Sequence, residues 1–129
     1  MPLNADDAFE LSKQFRELGI NLGNYRFANW NTLTPTQRRD LEDEEWSLLN
    51  ASSDMTTKAV GLALEESAIN VQNITSSVGK AKRAIKKLEK VGEVIKVATA
   101  TVGLAAAIVA KDPGAIAKNA KLVLEAANV

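Results

Sequence analysis

Val60, Leu64, Ser67, Val71, Ile74, Val78, Ala81, Ile85, Leu88, Gly92 and Ile95 recur at alternating steps of four and three residues. An α-helix turns once in about 3.6 residues, so this spacing lines them along one narrow stripe. Trp46, Asn50, Ser53 and Thr57 continue the spacing upstream with polar occupants. Prolines stand only at positions 2, 35 and 113, so none interrupts a helix between Pro35 and Pro113. The chain is therefore expected to be all-α. Ser67 and Gly92 dilute the seam and would let a neighbouring helix come close.

Two architectures satisfy this pattern. Residues 35–111 can form one long central helix of an extended, oligomeric coiled coil, or several helices of a small bundle. Globular helices average about 11–12 residues, which favours the bundle. Breaks are expected at Thr75-Ser76-Ser77-Val78-Gly79, where poor helix formers precede a glycine, and at Asn50-Ala51-Ser52-Ser53-Asp54, where Ser53 or Asp54 can cap a new helix. The expected helices lie near 5–18, 35–50, 54–77, 80–111 and 113–127.

Asp6 and Asp7 suit the positive end of a first helix whose apolar stripe is Ala8, Leu11, Phe15 and Leu18. Gly19 and Gly23 read as its stops, and the asparagine-rich stretch 19–33 as irregular. All six aromatics, Phe9, Phe15, Tyr25, Phe27, Trp30 and Trp46, lie in the first 46 residues. They are expected to cluster and clasp the N-terminal segment onto a longer helix. Thr34-Pro35 is a strong helix start, and Asp112-Pro113-Gly114 a tight turn into a last helix bearing Ile116, Ala120, Val123, Leu124 and Ala127. The chain thus reads as one all-α domain over 1–129. It comprises an N-terminal helix with an aromatic loop clasp over 1–33, acidic-to-apolar helices over 34–78, and a basic, alanine-rich antiparallel helical hairpin over 80–127.

Histidine and cysteine are absent from the 129 residues. That removes zinc sites built on them, thiol chemistry and the Ser-His and Cys-His nucleophile pairs. The acids between Asp40 and Glu45 follow each other round a helix and do not converge on an ion. Gly79-Lys80 lacks the earlier glycine and the Ser or Thr of a phosphate-binding loop. No enzyme activity, metal, cofactor or small-molecule substrate is expected.

The net charge of zero is unevenly spread. Residues 1–75 hold 12 acids and 6 bases, and residues 76–129 hold 4 acids and 10 bases. The basic side chains Lys80, Lys82, Arg83, Lys86, Lys87 and Lys90 are candidate contacts to a partner or to lipid, on a helix whose Ala81, Ala84, Ile85 and Leu88 share an apolar face. The uncharged run Val97 to Ala110 follows, flanked by Lys96 and Lys111. Gly103 with Ala107, and Ala106 with Ala110, give a spacing of small residues that favours close helix contact. A basic approach helix, an alanine-rich hairpin and a tight turn resemble the inserting hairpins of helical pore-forming proteins, without a diagnostic motif.

Val60, Leu64, Val71, Ile74, Ile85, Leu88, Ile95, Val102 and Ile108 are the candidate helix-packing residues, and Val102, Leu104, Ile108 and Val109 are expected to be largely buried. The expected function is non-enzymatic association, through a homo-oligomer or a partner protein. Action on an anionic membrane is the second expectation, and nucleic-acid binding through the basic helix the third. The start of the chain reads as no secretory signal, so a cytoplasmic location is expected by default, with non-classical export left open.

Overall fold

In the computed structural model, residues 5–55, 71–87 and 90–127 are described. They form helices α1 (Ala5–Ala28), α2 (Pro35–Asp54), α3 (Val71–Lys87), α4 (Val91–Ala110) and α5 (Pro113–Ala127), with a 3₁₀ turn at Trp30–Thr32. The molecule is a compact all-α bundle. α1 packs against α2 on one flank and α3 on the other, α4 packs against α2 and α5, and α3 also meets α5. The ring of contacts therefore closes in the order α1, α2, α4, α5, α3.

α1 runs well past its expected end at residue 18, and neither glycine stops it. Both sit where α2 comes closest. A Cβ on Gly19 would lie 3.3 Å from the Glu45 carbonyl oxygen and 3.3 Å from Leu48 Cβ; one on Gly23 would lie 2.5 Å from the Glu45 carboxylate. Interior glycine costs about 1 kcal/mol relative to alanine, and the close approach of two helices offsets it. The expected irregular stretch is thereby reduced to a short elbow after Ala28.

At that elbow Thr34 caps α2 as expected. Gln37 N–H donates to Thr34 Oγ1 at 3.1 Å, and Thr34 N–H donates to Gln37 Oε1 at 2.9 Å, a reciprocal capping box with Pro35 in the first turn. α2 continues to Asp54, so both candidate caps, Ser53 and Asp54, lie inside it. It buries Leu41, Leu48 and Ser52, with Met55 buried just after it, while Trp46, Asn50 and Ser53 are exposed. The seam proposed upstream of residue 57 thus has the right step and the wrong phase.

The seam does hold in α3, where Ile74, Val78, Ala81 and Ile85 are buried. The break expected at Thr75–Gly79 is absent: Ser77 donates its hydroxyl proton back to the Asn73 carbonyl at 2.9 Å and the helix continues. Residues 80–111 are divided instead, because Lys90 is extended (φ −88°, ψ 125°) and stands at the N-terminal boundary of α4 without a side-chain cap. The long stretch 35–111 is accordingly not one helix. Val60, Leu64, Ser67 and Leu88 lie outside the described residues, as does the side chain of Val71. Ile95 is half-buried and Gly92 exposed, Val94 taking over the core position.

α4 and α5 form a hairpin over residues 91–127, shorter than the 80–127 expected because Lys80–Lys87 belongs to α3. α4 ends at Lys111, which adopts the left-handed conformation (φ 59°, ψ 44°). Asp112 N–H donates to the Ala107 carbonyl and Lys111 N–H to the Ile108 carbonyl, each at 3.1 Å, which satisfies the last carbonyls of the helix. Asp112 Oδ1 then accepts from Ala115 N–H at 3.1 Å and caps α5. Leu104 and Ile108 are fully buried, but Val102 and Val109 are only half-buried. Ile116, Ala120 and Val123 supply the α5 side of the core, with Ala126, whereas Leu124 and Ala127 are half-buried.

Candidate interaction surface

α1 carries two apolar stripes. Leu11, Phe15, Leu18 and Leu22 are fully buried. At about 100° per residue, Phe9, Ile20 and Phe27 fall close to one line on the opposite side, with Lys13 and Arg16 between them. These three are 64%, 47% and 68% exposed. Trp30 and Trp46 add 42% and 57%, so five of the six exposed large apolar residues among those described belong to the α1–α2 hairpin. Leu122 of α5 is the sixth.

The expected aromatic cluster thus forms only in part, at the elbow. Phe15 alone among the aromatic residues is fully buried, and Tyr25 packs part-buried against the core, which pushes its phenol pKa up through desolvation. At the elbow Phe27 stacks on Trp30, with centroids 6.1 Å apart and planes at 13°. The Arg26 guanidinium lies 4.8 Å from the Phe27 centroid and that of Arg38 4.6 Å from the Trp30 centroid. Arg38 Nε also donates to the Trp30 carbonyl at 3.0 Å. A helix with leucines on one side hides such a second stripe; the recurrence of Phe9, Ile20 and Phe27 was its signal.

Arg26 fixes the hairpin beneath this surface. It is 8% exposed, and its guanidinium reaches Glu45 at 3.0 Å and Glu42 at 3.4 Å. Ser12 donates to the Ser52 carbonyl at 2.8 Å further along. The expected acidic cluster is thus partly spent on structure. Glu44 accepts a hydrogen bond from Thr99 of α4 at 3.0 Å, and burial, with Asp40 and Asp43 nearby, holds its carboxyl above the usual range. Asp40 and Asp43 are exposed beside Trp46.

The basic run divides in two. Lys80, Arg83, Lys86, Lys87 and Lys90 are exposed. Lys82 instead donates to Glu17 Oε2 at 2.6 Å. Two open clefts of 390 and 510 Å³ follow the α1–α3 groove on either side of this pair. Asp7, Glu10, Gln14, Gln72, Lys82 and Arg83 line the first and Asn21, Asn24, Asn29 and Lys86 the second, and Gln14 Oε1 and Asn21 Nδ2 have no hydrogen-bond partner.

The small-residue pairs of α4 also separate. A Cβ on Gly103 would lie 2.6 Å from Asn119 Oδ1 of α5, and Ala107 is buried, so that pair serves the hairpin. Ala106 and Ala110 face outward. No family model matches the chain, and neither the curated proteins nor the solved structures contain a match.

Proposed function

We propose that this protein is a non-catalytic association module that pairs with a second copy of itself through the outer face of α1 and its flanking helices. One observation carries the reading: Phe9, Ile20, Phe27, Trp30 and Trp46 stand exposed on one hairpin. Clustered aromatic and arginine side chains are enriched in the centres of protein interfaces. The lack of histidine and cysteine supports a non-catalytic role. The charge division supports a second copy as the occupant, since each chain carries both members of a complementary pair.

Sedimentation of the full chain across micromolar concentrations tests the reading. The expected species is a multiple of the 13.9 kDa monomer. Ile20→Ser with Trp46→Ser returns the monomer with unchanged helical circular dichroism. A wild-type chain that stays monomeric throughout refutes it.

A second reading attaches to α4. Val91–Ala110 is 20 residues long with a mean hydropathy of 1.7, enough by length and composition to cross a membrane, and 44% of that window is buried in the bundle. Five exposed basic side chains on α3 and at the start of α4 suit an anionic lipid surface. Dye release from vesicles rich in anionic lipid distinguishes this reading from association in water.

A further inference from the structure

We infer that two copies pair about a two-fold axis running along α1, so that α1 meets its counterpart in parallel and α2 of each copy lies over α3 of the other. The inference rests on the association reading above. It starts from the order of the three helices on this face. α1 lies between α2 and α3 and packs on both. The two outer helices carry opposite charge. On α2, Asp40 and Asp43 stand exposed with Arg39, while Arg26 holds Glu42 and Glu45 and Thr99 of α4 holds Glu44. Val71–Lys87 of α3 holds five basic residues and no acid. With α1 between them, these surfaces cannot satisfy each other within one chain.

Two copies placed face to face can be related in two simple ways. An axis across the helices sets α1 antiparallel to its counterpart and puts α2 over α2 and α3 over α3. The basic residues of α3 then face their own copies, near the level where Lys82 meets Glu17. An axis along α1 exchanges the flanks and puts each acidic α2 over the partner's basic α3. Charge therefore selects the parallel arrangement. Trp46 fits this pairing. Within the chain Arg38 covers Trp30 and Arg26 covers Phe27. Among the described residues no cation covers Trp46, which stands beside Asp43, and the opposing helix would bring Arg83 and Lys87 to it. In the centre, the parallel axis places Phe9, Ile20 and Phe27 each against itself.

The face is large enough. α1 is 24 residues long, or about 36 Å at about 1.5 Å per residue. Three helices about 8–10 Å apart give a face on the order of 900 Å², against the roughly 800 Å² per partner of a standard stable interface.

Because the chain has no cysteine, single introduced cysteines report the arrangement directly. Phe9→Cys and Phe27→Cys are both exposed and lie 18 residues apart, about 27 Å along the helix. A disulfide requires Cα atoms within about 7 Å. On oxidation at micromolar concentration each variant alone should form a covalent dimer, and mixing the two should add little mixed product. Cross-linking only in the mixture means the antiparallel arrangement and overturns the inference. A wild-type chain that sediments as a dimer while neither variant cross-links overturns it too, leaving association intact. A monomeric wild type removes both. As a second arm, Arg83→Glu with Lys87→Glu should weaken the dimer about tenfold or more, and adding Asp43→Lys to the same chain should recover part of that loss. Failure of that recovery, with all variants folded by circular dichroism, counts against the α2–α3 pairing.

Discussion

Lys82 Nζ donates a 2.6 Å hydrogen bond to Glu17 Oε2 across the α1–α3 groove, and among the described residues this ion pair joins the basic half of the chain to the acidic half. The bond holds the Glu17 carboxyl below the usual range, against partial desolvation and with help from the charges of Lys82, Lys13 and Arg16. A depressed folded-state pKa contributes stability above the unfolded value, which is lost as pH falls through the folded one. With a third of the Glu17 side chain exposed, solvent screening limits the pair to about 0.5–1 kcal/mol. Lys82→Met should cost that much in urea denaturation at neutral pH. The difference from wild type should vanish once Glu17 is protonated. An equal difference at both pH values would refute the assignment.

Glu44 behaves in the opposite sense. Burial is the main cause of its raised pKa, the charges of Asp43 and Asp40 add to it, and the hydrogen bond from Thr99 works against it. The folded state binds this proton more tightly than the unfolded chain. The stabilising contribution is therefore present below the unfolded pKa and lost as pH rises through the folded one. At neutral pH the charged carboxylate is a small net cost. Glu44→Gln keeps the acceptor for Thr99 and should stabilise the fold by roughly a few tenths of a kcal/mol at neutral pH, the scale of a partly exposed charge. The gain should disappear on acidification. A melting temperature lowered by the substitution at neutral pH would contradict this account.

Local chemistry was readable where the chain itself dictates it. Thr34-Pro35 with Gln37, and Asp112-Pro113, contain their own hydrogen-bond partners, and both form as expected. Contacts between helices were not readable. Gly19 and Gly23 carry the composition of a helix stop, and only the approach of Glu45 and Leu48 explains their place inside α1. Thr75 to Gly79 has poor intrinsic helicity, yet burial of Ile74, Val78 and Ala81 on one side overrides it. The candidate surface was misread for a related reason. The aromatic side chains were expected to gather in one cluster, whereas α1 sets Phe15 on its core side with Leu11, Leu18 and Leu22 and places Phe9 and Phe27 on the opposite side.

Lys111 is the only non-glycine residue with positive φ among those described. A side chain in that conformation costs about 1 kcal/mol or more, and glycine avoids the cost. The greater freedom of glycine in the unfolded chain takes part of the gain back. Lys111→Gly should therefore stabilise the hairpin by about 0.5–1 kcal/mol in thermal or urea denaturation. A loss of stability would mean that the lysine side chain makes a compensating contact.

Ile108 and Ala106 separate the structural and outward faces of α4. Ile108 is fully buried and Ala106 is exposed, two residues apart on the same apolar helix. Aspartate at position 108 places an unpaired charge in an apolar core, a change on the order of 3–5 kcal/mol that competes with the whole stability of a small domain. Aspartate at position 106 meets water and should shift stability by no more than about 0.5 kcal/mol. Ile108→Asp is expected to lose cooperative melting, and Ala106→Asp to melt like the wild type. The pair also bears on the membrane reading, because a helix that leaves the bundle for lipid must bury both positions. If vesicle leakage occurs and Ala106→Asp abolishes it in a protein that still folds, α4 is the inserting element. If Ala106→Asp itself unfolds the chain, the outward face of α4 is covered, and the burial pattern that supports both readings of the helix is wrong.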